Sequence, residues 1–237
     1  MPFKAEPVPR KPITEFASYL RSTFFIDADH PEVRKVSAVL TQDSSDVGEI
    51  ARRLFYFVRD EIFYNPYAPF EKRGDYPAHV ILRRKKGYCI QKAIVLAALA
   101  RACGIPSRLR LADIRNHLVP PNLAAMMGTN LFYFHGYDEL YLRGRWVKVT
   151  PTFDMRMCRR LDLIPVEFDG LHPALFHRNT RDGRLHVEYV RQRGYFADFP
   201  FEKVLRGFHE HYGAEMIARW REASRKTLQK YAEQETS

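Results

Sequence analysis

The chain has 237 residues, 46% of them apolar and 14% aromatic, with only 12 glycines, which is length for one large domain or two small ones around a sizeable core. Disordered, collagen-like and low-complexity chains are excluded by that composition. Lys and Arg outnumber Asp and Glu by 38 to 28, a formal charge of +10, so nucleic acid has to be weighed as a partner.

Residues 1–12 carry four prolines and read as an extended arm. Their beginning, MPFKAEPVPRKP, has no apolar stretch of the kind a secretory signal needs, and no run reaches the roughly 18 apolar residues of a membrane span. The expectation is a cytoplasmic protein with no membrane partner. Residues 14–24 fit a short helix. Asp29, His30 and Pro31 open a second one to about residue 41, because Asp caps well and Pro suits the first turn. Asp46, with Glu49 three residues later, starts a third. Its apolar positions Val47, Ile50, Leu54 and Phe57 recur at helical spacing, and Tyr64-Asn65-Pro66-Tyr67 ends it.

From Cys89 to Cys103 the sequence CIQKAIVLAALARAC is apolar on nearly every face and is followed by Gly104 as a stop, which predicts a buried central helix. Gly87 is expected to supply a tight turn into it. A strand at about residues 109–114 follows. Residues 131–149 read as a hairpin turning at Arg143-Gly144. That register sets Tyr141 opposite Trp146 and Glu139 opposite Lys148, an aromatic pair and an ion pair worth roughly 0.2 to 1 kcal/mol each. Alternation puts Tyr133, His135, Tyr137, Glu139 and Tyr141 on one face. If the pairing continues past Pro151, Thr152 lies opposite His135, with Thr150 and Asp154 as diagonal neighbours. Residues 179–190 suggest another hairpin, residues 201–212 and 214–232 suggest helices, and no chemistry is legible in that last third.

Charge is concentrated. Between Tyr76 and Asn116 there are nine Lys or Arg against one acid, Asp113, and Arg83, Arg84, Lys85 and Lys86 stand just before Gly87-Tyr88-Cys89. Their field falls on that cysteine and whatever approaches it. The three cysteines, Cys89, Cys103 and Cys158, are too few and odd in number for a disulfide scaffold, and no CxxC or HxxxH spacing suggests zinc. A thiol at a helix N-terminus beside cations is instead a candidate nucleophile. The helix dipole and nearby Lys or Arg lower a cysteine pKa from about 8.5 to between roughly 3.5 and 7.5. Cys103 and Cys158 lack that setting. A thiol nucleophile needs a base with an orienting partner. Of nine histidines, His135 is best placed, in mid-strand with an acid of suitable parity nearby.

Two blocks then resemble a known family. Gly87-Tyr88-Cys89, opening an apolar helix that closes on Arg101-Ala102-Cys103-Gly104-Ile105-Pro106-Ser107-Arg108, is similar to the cysteine block of the transglutaminase-like superfamily. His135-Gly136-Tyr137-Asp138-Glu139-Leu140-Tyr141-Leu142 and Gly144-Arg145-Trp146-Val147-Lys148-Val149 resemble its histidine block, and both cover about residues 46–156. The resemblance implies an α+β fold with a papain-like transglutaminase core, a cysteine helix packed on an antiparallel sheet. It implies a Cys-His-Asp triad with Cys89 as nucleophile and His135 as base and acid. The third position departs from the pattern: Thr150 stands before Pro151-Thr152 where the family carries Asp. Asp154 is the expected substitute, with Thr150 as the weaker alternative. The resemblance also implies an upstream aromatic or amide side chain as an oxyanion donor beside the Cys89 N–H; Tyr64 and Asn65 stand in that place, but a plain turn or core role is the reading favoured for them and neither is assigned to the site.

The organisation expected is an N-terminal arm and helices over 1–45, a catalytic core over 46–156 and an extension over 157–237 packed on it. The first functional expectation is acyl transfer on amide bonds through a thioester, as a peptidase or amidase with water and a transamidase with an amine. Its substrate would be a peptide or protein amide, and the charge around Cys89 suggests an acidic one. No cofactor or metal is expected. A chemically silent binding module on the same fold is the second reading. A basic nucleic-acid-binding protein ranks last, since no helix-turn-helix, RRM or zinc signature accompanies the charge.

Overall fold

The computed structural model describes residues 13–235, and the expected arm over 1–12 lies outside the described residues. Three helices come first: α1 (Ile13–Leu20), α2 (Pro31–Thr41) and α3 (Val47–Glu61). The α2 cap is His30 rather than Asp29, its Nδ1 accepting the Glu32 N–H at 3.2 Å. Asp46 caps α3 as expected by accepting the Glu49 N–H at 2.9 Å. The Glu49 carboxylate turns to Arg52 and Arg53 instead of back to the cap.

A two-residue strand β1 (Phe63–Tyr64), helix α4 (Ala78–Arg84) and a second short strand β2 (Lys86–Gly87) lead into the central helix α5 (Cys89–Ala102). Every residue from Ile90 to Arg101 in α5 is buried, which is why its sequence lacks a polar face. Burying each of Ile90, Ile94, Leu96 and Leu99 is worth about 1.5–3 kcal/mol relative to exposure, so packing rather than propensity holds this helix.

The sheet follows: β3 (Ser107–Asn116), the short helix α6 (Pro121–Met127), β4 (Leu131–Leu142), β5 (Arg145–Val149), helix α7 (Met155–Leu161) and β6 (Val187–Phe196). Its order is β5-β4-β3-β6, antiparallel throughout, with α5 against one face. The β4–β5 register is the one the turn implied, Tyr141 opposite Trp146 and Glu139 opposite Lys148. The two rings of the first pair lie 5.4 Å apart. Glu139, however, makes its ion pair with Arg108 at 2.6 Å. Arg108 comes from β3 on the other side of β4 and reaches the carboxylate first.

The last third forms one irregular segment, β6, and α8 (Phe201–Glu235). The hairpin expected over 179–190 reduces to an isolated Asn179–Leu185 bridge, after which the chain runs on as β6 along β3. Gly213, at φ +76° and ψ 164°, breaks α8 into the two helical stretches read from the sequence.

Candidate active site

Cys89 is the first residue of α5, and its position is set by the segment before it. The parallel β1–β2 contact lays Phe63–Tyr64 beside Lys86–Gly87, and the Asn65 N–H reaches the Gly87 carbonyl at 3.0 Å. Gly87 does not adopt a left-handed conformation. Its smallness is what matters, because a Cβ there would meet the Gln91 side chain at 3.0 Å. Gln91 in turn accepts the Tyr88 N–H at 3.3 Å and donates to the Pro69 carbonyl at 2.7 Å. The turn into the helix is thus fixed from both sides.

His135 arrives from β4 just past an irregularity. The β3–β4 register pairs Ala112 with His135 but Ile114 with Phe132, so β4 carries one extra residue there. Phe134 takes it up at φ +59°, a conformation that costs a bulky residue energy and persists where surroundings enforce it. Its N–H donates to Asp113 Oδ1 at 3.2 Å. Its ring fills the space left by Gly207 on α8, where a Cβ would come within 2.3 Å. On the other side of His135, Gly136 lies against the Ile90 backbone, 2.6 Å from where a Gly136 Cβ would be. The residue after the histidine therefore rests on the residue after the cysteine. Cys89 and His135 open onto the same cleft.

The imidazole is 2% exposed, and its Nε2 lies 3.3 Å from Thr150 Oγ1, which is 3.0 Å from Thr152 Oγ1. Asp154 is not brought to it. One Asp154 oxygen accepts the Met157 N–H at 2.9 Å as the cap of α7, and the other accepts the Tyr64 N–H at 2.9 Å. The expected diagonal fails because ladder pairing stops at Val149. The Thr150 N–H turns away to the Ala174 carbonyl at 2.8 Å, so parity along β5 no longer governs residues 152–154. Asp138, the other nearby carboxyl on β4, has the opposite parity to His135. It is fully buried, has no hydrogen-bond partner among the described residues, and burial raises its pKa well above the usual range.

Desolvation dominates the electrostatics. Atoms packed around the Cys89 sulfur push the thiol up to about 11, and the N–H groups of Gly136, Ile90 and Cys89 itself offset only part of that. Burial alone takes His135 down to about 3. Both groups rest neutral at pH 7. The expected lowering by the basic run does not occur: burial outweighs every other influence on the thiol, and both arginines of the run are engaged elsewhere. Arg83 pairs with Glu32 at 2.6 Å, and Arg84 donates to the Lys86 and Asp75 carbonyls. Lys92, also on α5, is buried with its Nζ 2.9 Å from the Arg59 carbonyl at the end of α3.

The cleft has a volume of about 770 Å³, part of it open to solvent, and none of the 22 residues lining it is Lys, Arg, Asp or Glu. Part of its wall comes from the last third of the chain, for which the sequence leaves open covering the cleft, contacting substrate or mediating association. Phe208, Tyr212, Met216 and Trp220 of α8 line it, and the Tyr212 hydroxyl accepts the Tyr133 N–H at 2.8 Å. The signal that could have revealed this wall is a pair four residues apart in each of the two stretches of α8, Phe208 with Tyr212 before Gly213 and Met216 with Trp220 after it. Met126 and Met127 of α6 close another side. Among the described residues, no group of three or more His, Cys, Asp or Glu side chains is arranged to hold a metal ion, and no helix is long and apolar enough to cross a membrane.

Residues 34–151 match the Transglutaminase-like superfamily, and the chain belongs to it. Three solved structures are similar. One is a candidate cysteine protease from Cytophaga hutchinsonii, 17% identical with a TM-score of 0.48, matched over 78% of this chain and 57% of its own. Another is a candidate protease from Parabacteroides distasonis, 19% identical with a TM-score of 0.37, matched over 57% of this chain and 25% of its own. The third is the periplasmic domain of TgpA from Pseudomonas aeruginosa bound to ethylmercury, 21% identical with a TM-score of 0.39, matched over 55% of this chain and 46% of its own. The chain thus spans less than two thirds of each of these solved chains. No curated protein matches it.

Proposed function

We propose that the chain is a cysteine-dependent acyl-transfer enzyme acting on amide bonds, with Cys89 as nucleophile and His135 as general base and then acid. The observation that carries this reading is the seating of Gly136 on Ile90, which holds the two side chains at one cleft from separate elements. In the reaction, sulfur attacks the carbonyl carbon while the thiol proton passes to His135 Nδ1. The N–H groups at the start of α5 are the donors available to the developing oxyanion. Collapse breaks the C–N bond, the imidazolium returns its proton to the departing amine, and a thioester remains on Cys89. Water, deprotonated by His135, then attacks the thioester and regenerates the thiol. An amine in place of water gives the transamidase outcome.

In this reading Thr150 and Thr152 hold the imidazole where the superfamily uses a carboxylate, and Asp154 fixes the Tyr64 backbone and α7. A silent binding module is the second reading, favoured by the thiol at about 11 and the imidazole at about 3. The test is iodoacetamide modification of the full chain near neutral pH, read site by site by peptide mass, with Cys103 as internal reference. A live pair predicts that His135→Ala slows Cys89 modification at least about tenfold and leaves Cys103 unchanged. An unchanged Cys89 rate would establish the silent module.

A further inference from the structure

Resting on the reading above, we propose that the acyl group accepted by Cys89 is an uncharged hydrocarbon group, aromatic or aliphatic, seated in the cleft walled by α6 and α8, and not an acidic one. Three observations carry this. First, among the described residues the lining contains no Lys, Arg, Asp or Glu side chain, so an anionic substrate finds no cation among them to pair with there. Burial of an unpaired charge is costly, and the same desolvation already holds both Cys89 and His135 neutral. Second, four of the chain's six methionines, Met126, Met127, Met157 and Met216, line the cleft. Thioether side chains adapt to irregular apolar shapes and contact aromatic rings favourably. Third, the α8 side of the wall is aromatic and its Trp220 is pinned in place. Trp220 stacks on Phe70 at 4.0 Å and donates its Nε1–H to the Pro66 carbonyl at 2.8 Å, so its polar edge is already satisfied and its ring remains as apolar surface.

The cations that suggested an acidic substrate do not line this space. Arg108, like Arg83, is paired with a carboxylate, at 2.6 Å to Glu139. Arg101 is spent on backbone carbonyls of Ser107, Arg21 and Ala197.

The test uses thiophenyl esters of acetic, 3-phenylpropionic and succinic acids on the full chain, with Cys89→Ala as the blank and intact mass as the readout of the thioester. The expected result is a kcat/KM for the phenylpropionyl ester at least about thirtyfold above the acetyl ester, with the succinyl ester below both. Met126→Glu, on the half-exposed α6, should lower phenylpropionyl turnover more than acetyl turnover, with circular dichroism confirming the fold. Equal turnover of acetyl and phenylpropionyl esters, or preference for succinyl, would overturn the inference while leaving the acyl-transfer reading intact. If no ester acylates Cys89, that reading fails by itself. The cleft is then judged by titrating Cys89→Ala with 3-phenylpropionamide and with succinamate, following tryptophan fluorescence. Binding of the first and not the second supports the apolar site, and the reverse, or binding of neither, refutes it.

Discussion

Replacing Thr150 by Asp would restore a carboxylate at the position where the superfamily carries one. Thr150 Oγ1 lies 3.3 Å from His135 Nε2, so an Asp side chain there would stand roughly 4 Å from the ring, worth about 4 kcal/mol to an imidazolium at an effective dielectric near 20. That corresponds to about three units of imidazole pKa, and the cost of burying the new carboxylate at a fully buried site returns part of it. A net rise of one to two units from the present value of about 3 is the expectation. The thiolate–imidazolium pair then becomes more accessible, and alkylation of Cys89 at pH 7 should quicken at least about tenfold. The assay is the iodoacetamide rate against pH for the wild type, Thr150→Asp, His135→Ala and the double variant, each shown to melt cooperatively. The gain should vanish in the double variant, since it acts through the imidazole. A folded Thr150→Asp that reacts no faster, or a gain that survives loss of His135, would refute the geometry.

Asp154→Ala should cost about 2–3 kcal/mol, from loss of the α7 cap and an unpaired Tyr64 N–H, while the pH profile of Cys89 alkylation keeps its shape; a shifted profile would make Asp154 the acid of a triad after all. Thr152→Val frees the Thr150 hydroxyl to donate to Nε2 and should slow Cys89 alkylation about tenfold, so an unchanged rate would remove the hydroxyl pair from the mechanism. Gly207→Ala drives a methyl into the Phe134 ring and should cost about 1–3 kcal/mol in urea unfolding and slow Cys89 alkylation, both of which would stay put if the ring moved aside freely. His135 titrates at about 3 in the folded chain against an ordinary 6.5. The unfolded state therefore binds more protons between those values, and stability falls as pH drops through that window, by at most about 1.4 kcal/mol per pH unit. Unfolding of His135→Gln should show a shallower loss over the same range, and identical slopes would mean the imidazole is not buried neutral.

Much of this was legible because local chemistry and global packing agree. The Asp46 cap, the all-round apolar helix after Cys89 and the two-residue turn at Arg143-Gly144 each have one low-energy solution, and the chain takes it. The failures fall where a tertiary contact outbids a local rule. Asp154 has the parity of an acid facing His135 only while β5 stays paired, and nothing in the string PTFD announces that the Thr150 N–H will leave for Ala174. The basic run before Cys89 suggested a lowered thiol, but sequence proximity does not report that Arg83 faces Glu32 or that the sulfur lies among apolar atoms. The extra residue at Phe134 is equally silent in sequence, because a Phe gives no hint of a left-handed backbone; its cause lies in Asp113 and in the notch at Gly207.

The exchange of a carboxylate for hydroxyls changes what fixes the imidazole. A carboxylate only accepts, so it holds the proton on Nε2 and leaves Nδ1 free to take one from a thiol. A threonine hydroxyl accepts or donates, and Thr150 has a single proton to place between Nε2 and Thr152. If that proton goes to Thr152, Nε2 must carry the ring proton and Nδ1 is the base. If Thr152 donates to Thr150 instead, the Thr150 proton goes to Nε2, and Nδ1 holds the hydrogen and cannot accept another. The deciding hydroxyl is therefore that of Thr152, which lines the cleft. In the proposed reaction, an acceptor atom offered to Thr152 by a bound molecule would draw its proton outward and favour the tautomer with Nδ1 free to take the thiol proton. On the proposed mechanism, the direction of these two hydroxyl protons would set which ring nitrogen serves as the base, and an occupant of the cleft that hydrogen-bonds Thr152 would bias that direction.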